Sequence, residues 1–344
     1  MTKKQVVKTS IFALILVAIV LCMSLIKVRN YSVDEFYSQD ENTIDVLTIG
    51  PSTVQRGYVP GIAWGEYGYT AYNWGQTLIH IESVKIMLDE FVKTQNPKLV
   101  FIDIYPLSYR SYDTYTNRLQ WFIERMPEGE SRDFYAEKYS DICTLSEPVV
   151  NLWEKHNVWR DVAVLEKSEN FNGFLPGKKD KTLVIKQKEI MQKKDANADG
   201  VRPLSDYNRN NIVEILDKCK EINSAYGTEF LFGIMPRFYL YDGKDTDGDI
   251  INGVATLEKY CMPLIVEAGF DYINFCDEDS LDLNPETDMY DRDHLNKAGA
   301  LKFTRYFSEY IKKEYGVYRP THGDSTTAQY DKLYLHSKHY FGLD

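Results

Sequence analysis

The stretch Ile44-Asp45-Val46-Leu47-Thr48-Ile49-Gly50-Pro51-Ser52-Thr53 decides the fold of this 344-residue chain. A short apolar run that stops at Gly-Pro is typical of a buried strand entering a tight turn. Four later runs have the same character, at residues 69–73, 99–105, 229–235 and 271–276. Apolar strands of this kind, alternating with helical patterns, predict a parallel sheet that is covered on both faces. We therefore expect an α/β protein with a three-layer α/β/α, flavodoxin-like architecture and a five-stranded parallel sheet.

The segments between these runs show apolar residues at helical spacing. Predicted helices lie at 78–93, at 254–268 with a kink at Pro263, and at 295–315 with Gly316 as the C-cap. A further helix is predicted from a face of apolar residues that begins at Ile212. Around them we expect an anchor at 1–30, a polar linker at 31–43 and a C-terminal tail at 317–344. The domain itself then covers 44–316 and contains an aromatic-rich insertion at about 107–187.

The N-terminus has the pattern of an uncleaved transmembrane anchor. Lys3, Lys4 and Lys8 precede an apolar run that extends from Ile11 to Ile26. That run is slightly shorter than the roughly 20 residues that span a bilayer, but flanking residues extend its reach. The leading lysines favour a cytoplasmic N-terminus, which places the following domain outside the cytoplasm.

Composition excludes two classes of protein. The chain has 40 Lys and Arg against 51 Asp and Glu, a formal net charge of −11, which argues against binding to nucleic acid. Its five cysteines include no C-x-x-C pair, so neither a disulfide framework nor a zinc ribbon is indicated.

The loops that follow the first and last predicted strands carry residues suited to nucleophilic catalysis. Ser52 lies on the turn after the first strand, and Asp291 and His294 lie three residues apart before the last helix. A nucleophilic serine needs a base, and that base needs an orienting carboxylate. Because ligands bind at the carboxyl ends of the strands in such sheets, these three side chains are candidates for a catalytic triad. The alternative is that Ser52 only forms a turn and that Asp291 or Asp293 caps the last helix.

Three blocks of this sequence resemble the SGNH (GDSL-type) hydrolases. Residues 44–57 are similar to the first block of that family, Tyr72-Asn73-Trp74-Gly75 to the second, and Asp291-Arg292-Asp293-His294-Leu295-Asn296 to the fifth. The resemblance implies that Ser52 is the nucleophile, His294 the base and acid, and Asp291 the orienting carboxylate. It also implies that the N–H groups of Ser52 and Gly75 bind the oxyanion, with no cofactor. Asn73, within the second block, is a candidate substrate contact.

One departure from the family pattern concerns the third block, whose Asn is an oxyanion donor. The corresponding stretch Ile102-Asp103-Ile104-Tyr105-Pro106 has no Asn, and an ionised Asp103 would repel an oxyanion. This absence and the N-terminal anchor resemble a membrane-anchored branch of the superfamily. That branch includes the D protein of lipoteichoic acid D-alanylation and accessory proteins of alginate acetylation.

The branch implies an extracytoplasmic serine O-acyl esterase or acyltransferase that acts on a cell-envelope polysaccharide or a teichoic-acid-like polymer. A membrane-bound O-acyltransferase is the implied protein partner. The alternatives are a non-catalytic accessory protein that docks on such an acyltransferase, and a lipase or esterase for soluble substrates that happens to be anchored.

Three weaker signals each have a plain structural alternative. Asp195, Asn197, Asp199 and Asp206 match part of a calcium loop, but Arg202 and Pro203 depart from its pattern and favour a solvated acidic loop. Arg237 follows the fourth strand and is a candidate for binding an anionic polymer group, or for a surface ion pair. Trp121, Trp153 and Trp159 could stack on sugar rings or pack the insertion onto the sheet.

Overall fold

The computed structural model describes residues 2–24, 31–108, 112–113, 115–142, 171–175, 200–237, 243–244, 250–317 and 322–343. Its centre is a sheet whose strands are β1 (Val46–Gly50), β2 (Ala71–Gly75), β3 (Leu99–Asp103), β4 (Glu229–Ile234) and β7 (Asp271–Asn274). A small antiparallel pair, β5 (Gly243–Lys244) and β6 (Ile250–Ile251), lies apart from it. The sheet order is β2-β1-β3-β4-β7 and every pairing within it is parallel. The predicted five-stranded parallel sheet is confirmed.

Helices cover both faces of this sheet. The helices of the described residues are α1 (Lys3–Ser24), α2 (Tyr31–Phe36), α3 (Ser52–Gly57), α4 (Pro60–Ile62), α5 (Ile81–Phe91), α6 (Thr116–Arg125), α7 (Glu130–Lys138), α8 (Asp206–Tyr226), α9 (Gly253–Tyr260), α10 (Met262–Glu267), α11 (Pro285–Asp288), α12 (Lys297–Tyr315) and α13 (Asp324–Phe341). A π-helical turn at Ala63–Tyr67 and short 3₁₀ turns at Tyr105–Ser108 and Asp279–Leu281 complete the set.

The core is divided by the sheet into two apolar clusters. One contains buried residues of α2, α5, α6, α8 and α9, together with Tyr72 and Trp74 of β2. The other contains buried residues of α3, α4, α12 and α13, together with Ala71 of the same strand. The alternation of neighbouring β2 residues between the two clusters follows the period of two that a strand imposes. The three-layer α/β/α arrangement is therefore established.

The predicted kink at Pro263 is a break between two helices. α9 ends at Tyr260 and α10 begins at Met262, which places Pro263 within the first turn of the second helix. Proline is tolerated there because the first helical N–H groups have no intrahelical acceptor. Gly316 closes α12 in the left-handed conformation, with φ 57°, as predicted for a glycine C-cap.

Residues 31–43 are not the polar linker that we expected. They contain α2, whose Val33 and Phe36 are 0% and 1% exposed. Phe36 stacks on Trp74 with 3.6 Å between ring centroids. The apolar residues of this segment are spaced three apart, which gives a short helix one buried face.

Residues 317–344 are likewise not a free tail, because most of the described part forms α13. Its Tyr330, Leu333 and Phe341 are buried among the residues of the second cluster. Asp331 accepts a hydrogen bond from the indole Nε1 of Trp64 at 2.8 Å, which fixes the helix against the π-helical turn.

Of the predicted insertion, α6, α7 and the loop 171–175 are described. The loop lies along β2, where the N–H of Asn73 donates to the carbonyl of Asn172 at 3.0 Å. Trp121 belongs to α6 and lies under the guanidinium of Arg118, 4.3 Å from its ring centroid. The other candidate sugar-stacking residues, Trp153 and Trp159, lie outside the described residues.

The N-terminal helix α1 carries its charges in its first two turns, at Lys3, Lys4 and Lys8. Its described part after Lys8, from Thr9 to Ser24, has 16 residues and rises about 24 Å. Within the described residues, no helix has both the length and the apolar character needed to cross a membrane. The predicted membrane-spanning helix is therefore not confirmed.

Candidate active site

Ser52 lies on the tight turn that joins β1 to α3. Pro51 is in an extended conformation, with φ −75°, and Ser52 is the first residue of the helix. A Cβ atom on Gly50 would lie 2.6 Å from Cγ2 of Val54 and 2.8 Å from Cβ of Asp103. Only glycine therefore allows the chain to turn this closely against β3, and the turn presents Ser52 at the carboxyl end of the sheet.

The loop between residues 289 and 295 folds back on itself. Met289 and Leu295 form an antiparallel bridge, and the N–H of Tyr290 donates to the carbonyl of His294 at 2.8 Å. Within the loop, Oδ1 of Asp291 accepts hydrogen bonds from the N–H groups of Asp293 at 2.9 Å and His294 at 2.8 Å. The loop thereby fixes the distance between the carboxylate and the imidazole before any contact with Ser52 is made.

The helix that follows this loop has its own cap. The side chain of Asn296 accepts from the N–H of Gly299 at 3.1 Å, so neither Asp291 nor Asp293 caps α12. The capping alternative for these two carboxylates is therefore wrong.

The structure brings Ser52, His294 and Asp291 into one hydrogen-bonded chain. Oγ of Ser52 lies 2.7 Å from Nε2 of His294. Nδ1 of the same ring lies 2.8 Å and 2.9 Å from the two carboxylate oxygens of Asp291. Serine hydrolases use this arrangement, in which the base lies within hydrogen-bond reach of both the nucleophile and the orienting carboxylate.

Asp291 is held in its charged form. Partial burial raises the pKa of this carboxyl, but the hydrogen bond and charge of His294 and the two backbone N–H donors outweigh it, so the pKa is lowered. An ionised Asp291 keeps the proton of the imidazole on Nδ1, and Nε2 is then free to accept the proton of Ser52.

Gly75 lies directly beside the turn that carries Ser52. A Cβ atom at Gly75 would lie 3.3 Å from both the Pro51 carbonyl and the Gln55 nitrogen, and would clash with Cγ of Gln55. The N–H of Asn73 points away from β1, because it donates to Asn172 at the outer edge of β2. Backbone N–H groups two residues apart in a strand point to the same side, so the N–H of Gly75 also points away from β1. The sheet ladder thus leaves this N–H without a partner from β1, as an oxyanion donor requires.

Asp103, where the family has an Asn in its third block, turns its carboxylate toward the protein. Its two oxygens accept from Oγ1 of Thr53 at 3.0 Å and from the N–H of Tyr105 at 2.9 Å. Burial raises the pKa of this carboxyl to about 6, although the charge of Arg237 and the hydrogen bonds from Thr53 and Met235 oppose the rise. The carboxylate is thus occupied by internal donors at the end of β3.

Asn73, predicted as a substrate contact, is instead part of the core. It is 0% exposed, its Nδ2 donates to the carbonyl of Tyr58 at 2.5 Å, and its Oδ1 accepts from Oγ1 of Thr48 at 2.8 Å. Since its amide is satisfied from within, this residue ties the end of α3 to the sheet and does not face a ligand.

Arg237 is not a surface residue. It is 3% exposed, its guanidinium lies 3.2 Å from the centroid of the Tyr105 ring, and its Nη1 lies 3.4 Å from Oδ1 of Asp293. Its partner Asp293 is the neighbour of the catalytic histidine candidate. The predicted ion pair is present, but it joins a buried guanidinium to a partly exposed carboxylate.

Two residues that support the site were missed in the sequence. The hydroxyl of Ser32 in α2 and Nε2 of Gln55 in α3 both donate to the carbonyl of Gly75, at 2.5 Å and 2.9 Å. The apolar pair Val33 and Phe36 was the available signal that this segment is buried. No pattern indicated where its serine points.

Among the described residues, no group of three or more His, Cys, Asp or Glu side chains could hold a metal ion. Of the calcium-loop candidates, Asp206 begins α8, with Ser205 as its N-cap. Asp195, Asn197 and Asp199 lie outside the described residues.

The fold and the order of the three sequence blocks along it are those that the resemblance to the SGNH hydrolases predicts. Membership of that superfamily stays a prediction. Assignment to the membrane-anchored branch stays a prediction. No family model and no curated protein matches the chain.

Two solved structures illustrate what the fold is similar to. A GDSL-like lipase from Bacteroides thetaiotaomicron is 11% identical, with a TM-score of 0.37 over 83% of this chain and 98% of that one. An acetylxylan esterase from Geobacillus stearothermophilus, solved as a catalytic mutant, is 13% identical, with a TM-score of 0.36 over 82% of this chain and 99% of that one. At this level the likeness does not bear on activity, and the chemistry of the site follows from its own geometry.

Proposed function

We propose that this protein is a serine O-acyl esterase or acyltransferase that acts through an acyl-Ser52 intermediate. The observation that carries the proposal is the continuous chain from Ser52 Oγ through His294 to the carboxylate of Asp291, with distances of 2.7 and 2.8 Å. A serine that only forms a turn has no need of an imidazole oriented by an ionised carboxylate.

In the first half of the reaction, Ser52 Oγ attacks the carbonyl carbon of an ester while His294 Nε2 takes the hydroxyl proton. The carbonyl oxygen becomes an oxyanion, and the N–H groups of Ser52 and Gly75 are its proposed donors. A donor of this kind is worth about 3–4 kcal/mol of the activation barrier in an acyl transfer. Collapse of the intermediate breaks the ester bond, and the imidazolium gives its proton to the leaving alcohol.

In the second half, a hydroxyl compound attacks the acyl-serine and His294 again accepts the proton. Water as the acceptor gives hydrolysis, and an alcohol of a polymer gives transfer. Either way, Ser52 regains its proton from His294 and the site returns to its first state.

We place the activity outside the cytoplasm, on a cell-envelope polysaccharide or a teichoic-acid-like polymer, beside a membrane-bound O-acyltransferase as partner. We further propose that α1 attaches the protein to a membrane, which would bring its domain close to such a partner. The described apolar side chains of α1 are unusually exposed, with Phe12 at 67% and Leu14 at 68%. An apolar helix whose described side chains are this exposed favours association with lipid.

The catalytic proposal is tested with a serine-directed fluorophosphonate and mass spectrometry of the adduct, on the full chain in detergent. Wild type, Ser52→Ala and His294→Ala are compared with His322→Ala as the matched control. His322 also pairs with a carboxylate, Asp45, at 3.1 Å, but it does so at the opposite end of the sheet, just before β1.

We expect an adduct at Ser52 in wild type and in His322→Ala, and none in the other two variants. A folded wild-type chain that takes no label at Ser52 would contradict the proposal and favour a docking protein without catalysis. The location is tested separately, by comparing membrane and soluble fractions for the full chain and for a chain that starts at Tyr31. Recovery of both chains in the soluble fraction would contradict attachment through α1.

A further inference from the structure

Arg237 is a buried cation with few hydrogen-bond acceptors among the residues that the structure describes. A guanidinium has five N–H donors in one plane, and an arginine with 3% exposure normally has them paired. Here the hydrogen bond to a described residue is a long one, 3.4 Å from Nη1 to Asp293. No described residue accepts a hydrogen bond from Nε, which is itself buried.

The orientation of this guanidinium is fixed. Its carbon lies 3.2 Å from the centroid of the Tyr105 ring, so the aromatic face supports one side of the plane. Tyr105 is 5% exposed and is held in turn by its N–H, which donates to Asp103. The donors at the guanidinium edge are therefore presented in a fixed direction, as bidentate recognition of a carboxylate or phosphate requires.

A cavity of about 270 Å³ opens beside Arg237. Its walls come from the segments after β4 and β7, with Pro236, Phe275 and Leu281 among the lining residues. No residue of the candidate triad lines this cavity, and its link to the triad is the contact of Arg237 with Asp293, the neighbour of His294. Its volume suits one substituent or sugar unit of a larger substrate.

Glu278, Asp279 and Asp282 also line this cavity and would repel an anion. Their position reduces that effect, because Asp279 and Asp282 are exposed, and Glu278 is partly exposed and already accepts from the N–H and hydroxyl of Ser280. Charges on a solvated rim are screened by water and salt, whereas a buried guanidinium is not. The balance favours an anionic group that reaches the floor of the cavity.

We propose that Arg237 binds an anionic oxygen group of the substrate, a carboxylate or a phosphodiester, next to the acyl group that Ser52 removes or transfers. The proposal rests on the proposed function for its place in the reaction, and it deepens that function by naming the class of substrate. Arg237 is then a specificity residue that distinguishes charged from neutral polymers.

The test measures binding without turnover, so that it does not depend on catalysis. The full chain carrying Ser52→Ala is titrated with glucuronate, with glycerol 3-phosphate and with glucose, and each titration is followed by calorimetry. We expect at least one of the two anions to bind about tenfold or more tightly than glucose. We expect Arg237→Met to remove that preference, and Arg237→Lys, which keeps the charge but not the fork, to retain part of it. The anion that binds more tightly shows whether Arg237 recognises a carboxylate or a phosphate.

Two results would overturn the proposal. One is equal affinity for the anions and glucose in a folded protein. The other is an anion preference that survives in Arg237→Met. Thermal unfolding of both arginine variants shows whether they fold. If Arg237→Met does not fold, the anion preference of Arg237→Lys is the test. Failure of the catalytic proposal is a separate result, because it would show as a missing adduct at Ser52 whatever the titrations give.

Discussion

Replacement of Asp291 by asparagine should nearly abolish activity while the shape of the site is kept. Oδ1 of Asp291 already accepts two backbone N–H groups and contacts the ring of His294, so the amide oxygen of Asn must occupy that position. The amide NH₂ then takes the place of Oδ2, 2.9 Å from Nδ1 of the ring. Because the NH₂ is a donor, Nδ1 must accept, and the ring proton moves to Nε2.

The magnitude of the loss follows from two effects. A proton on Nε2, 2.7 Å from Ser52 Oγ, prevents this nitrogen from acting as the base. In addition, the imidazolium that forms during the reaction loses a charge-assisted hydrogen bond worth about 1.5–3 kcal/mol, or roughly 10- to 150-fold in rate. The wrong tautomer adds to this, and we expect kcat to fall by about 10³- to 10⁴-fold.

The assay is hydrolysis of a chromogenic acetate ester, with kcat and KM measured for wild type, Asp291→Asn and Asp45→Asn. Asp45 is the matched control, because its carboxylate also contacts a histidine, at the other end of the sheet. We expect KM to change little in Asp291→Asn, since its side chain orients the base. A folded Asp291→Asn variant that keeps kcat within tenfold of wild type would refute the assigned role of this carboxylate.

Three further substitutions test other parts of the structure. Asp103→Asn should remove a pH dependence of stability. The pKa of Asp103 is raised from 3.8 to about 6 in the folded state, so the folded protein holds this proton more tightly than the unfolded chain does. The wild-type free energy of unfolding therefore falls as pH rises from about 4 to 6, by up to about 3 kcal/mol. Urea unfolding at several pH values measures this, and an unchanged slope in the variant would contradict the assignment. Phe36→Ala should cost about 3–5 kcal/mol, because Phe36 is 1% exposed and stacks on Trp74, and a cost below 1 kcal/mol in urea unfolding would mean that α2 is not part of the core. Gly75→Ala should cost about 1–3 kcal/mol by overpacking against Gln55 and should also lower kcat, whereas full activity in the acetate assay would show that Gly75 does not position the oxyanion.

The sheet was predictable from the sequence because its inner strands β1 and β3 are buried along their whole length and are mostly apolar. Position after the first and last strands then selected Ser52 and His294, which the sheet and the folded loop between residues 289 and 295 bring into contact. The helices at the two ends of the domain, α2 and α13, were not predicted. α13 buries Tyr330, Leu333 and Phe341 among many polar residues, so its pattern is weak and only tertiary packing makes it part of the core.

The environment of individual side chains was harder to predict than their place in the chain. Asn73 lies between Tyr72 and Trp74 in β2, and the pleat of the strand turns it to the opposite face from both, toward α3. A motif gives the position of such a residue but not the face on which it lies. Arg237 likewise follows a strand, as many surface arginines do, and its burial depends on Tyr105, more than 100 residues away in sequence.

The loop that lies along β2 has a consequence for the behaviour of the protein in solution. β2 is an edge strand, and an open edge can pair with a strand of another molecule and start aggregation. Here the outward N–H of Asn73 is bonded to Asn172, the carbonyl of Ala71 accepts from the hydroxyl of Tyr330 at 3.0 Å, and Gly75 is bonded by Ser32. Three separate segments thus occupy the bonding positions that an incoming strand would use, and none of them is itself a strand that could extend the sheet. The edge nearest the candidate nucleophile is in this way closed to self-association.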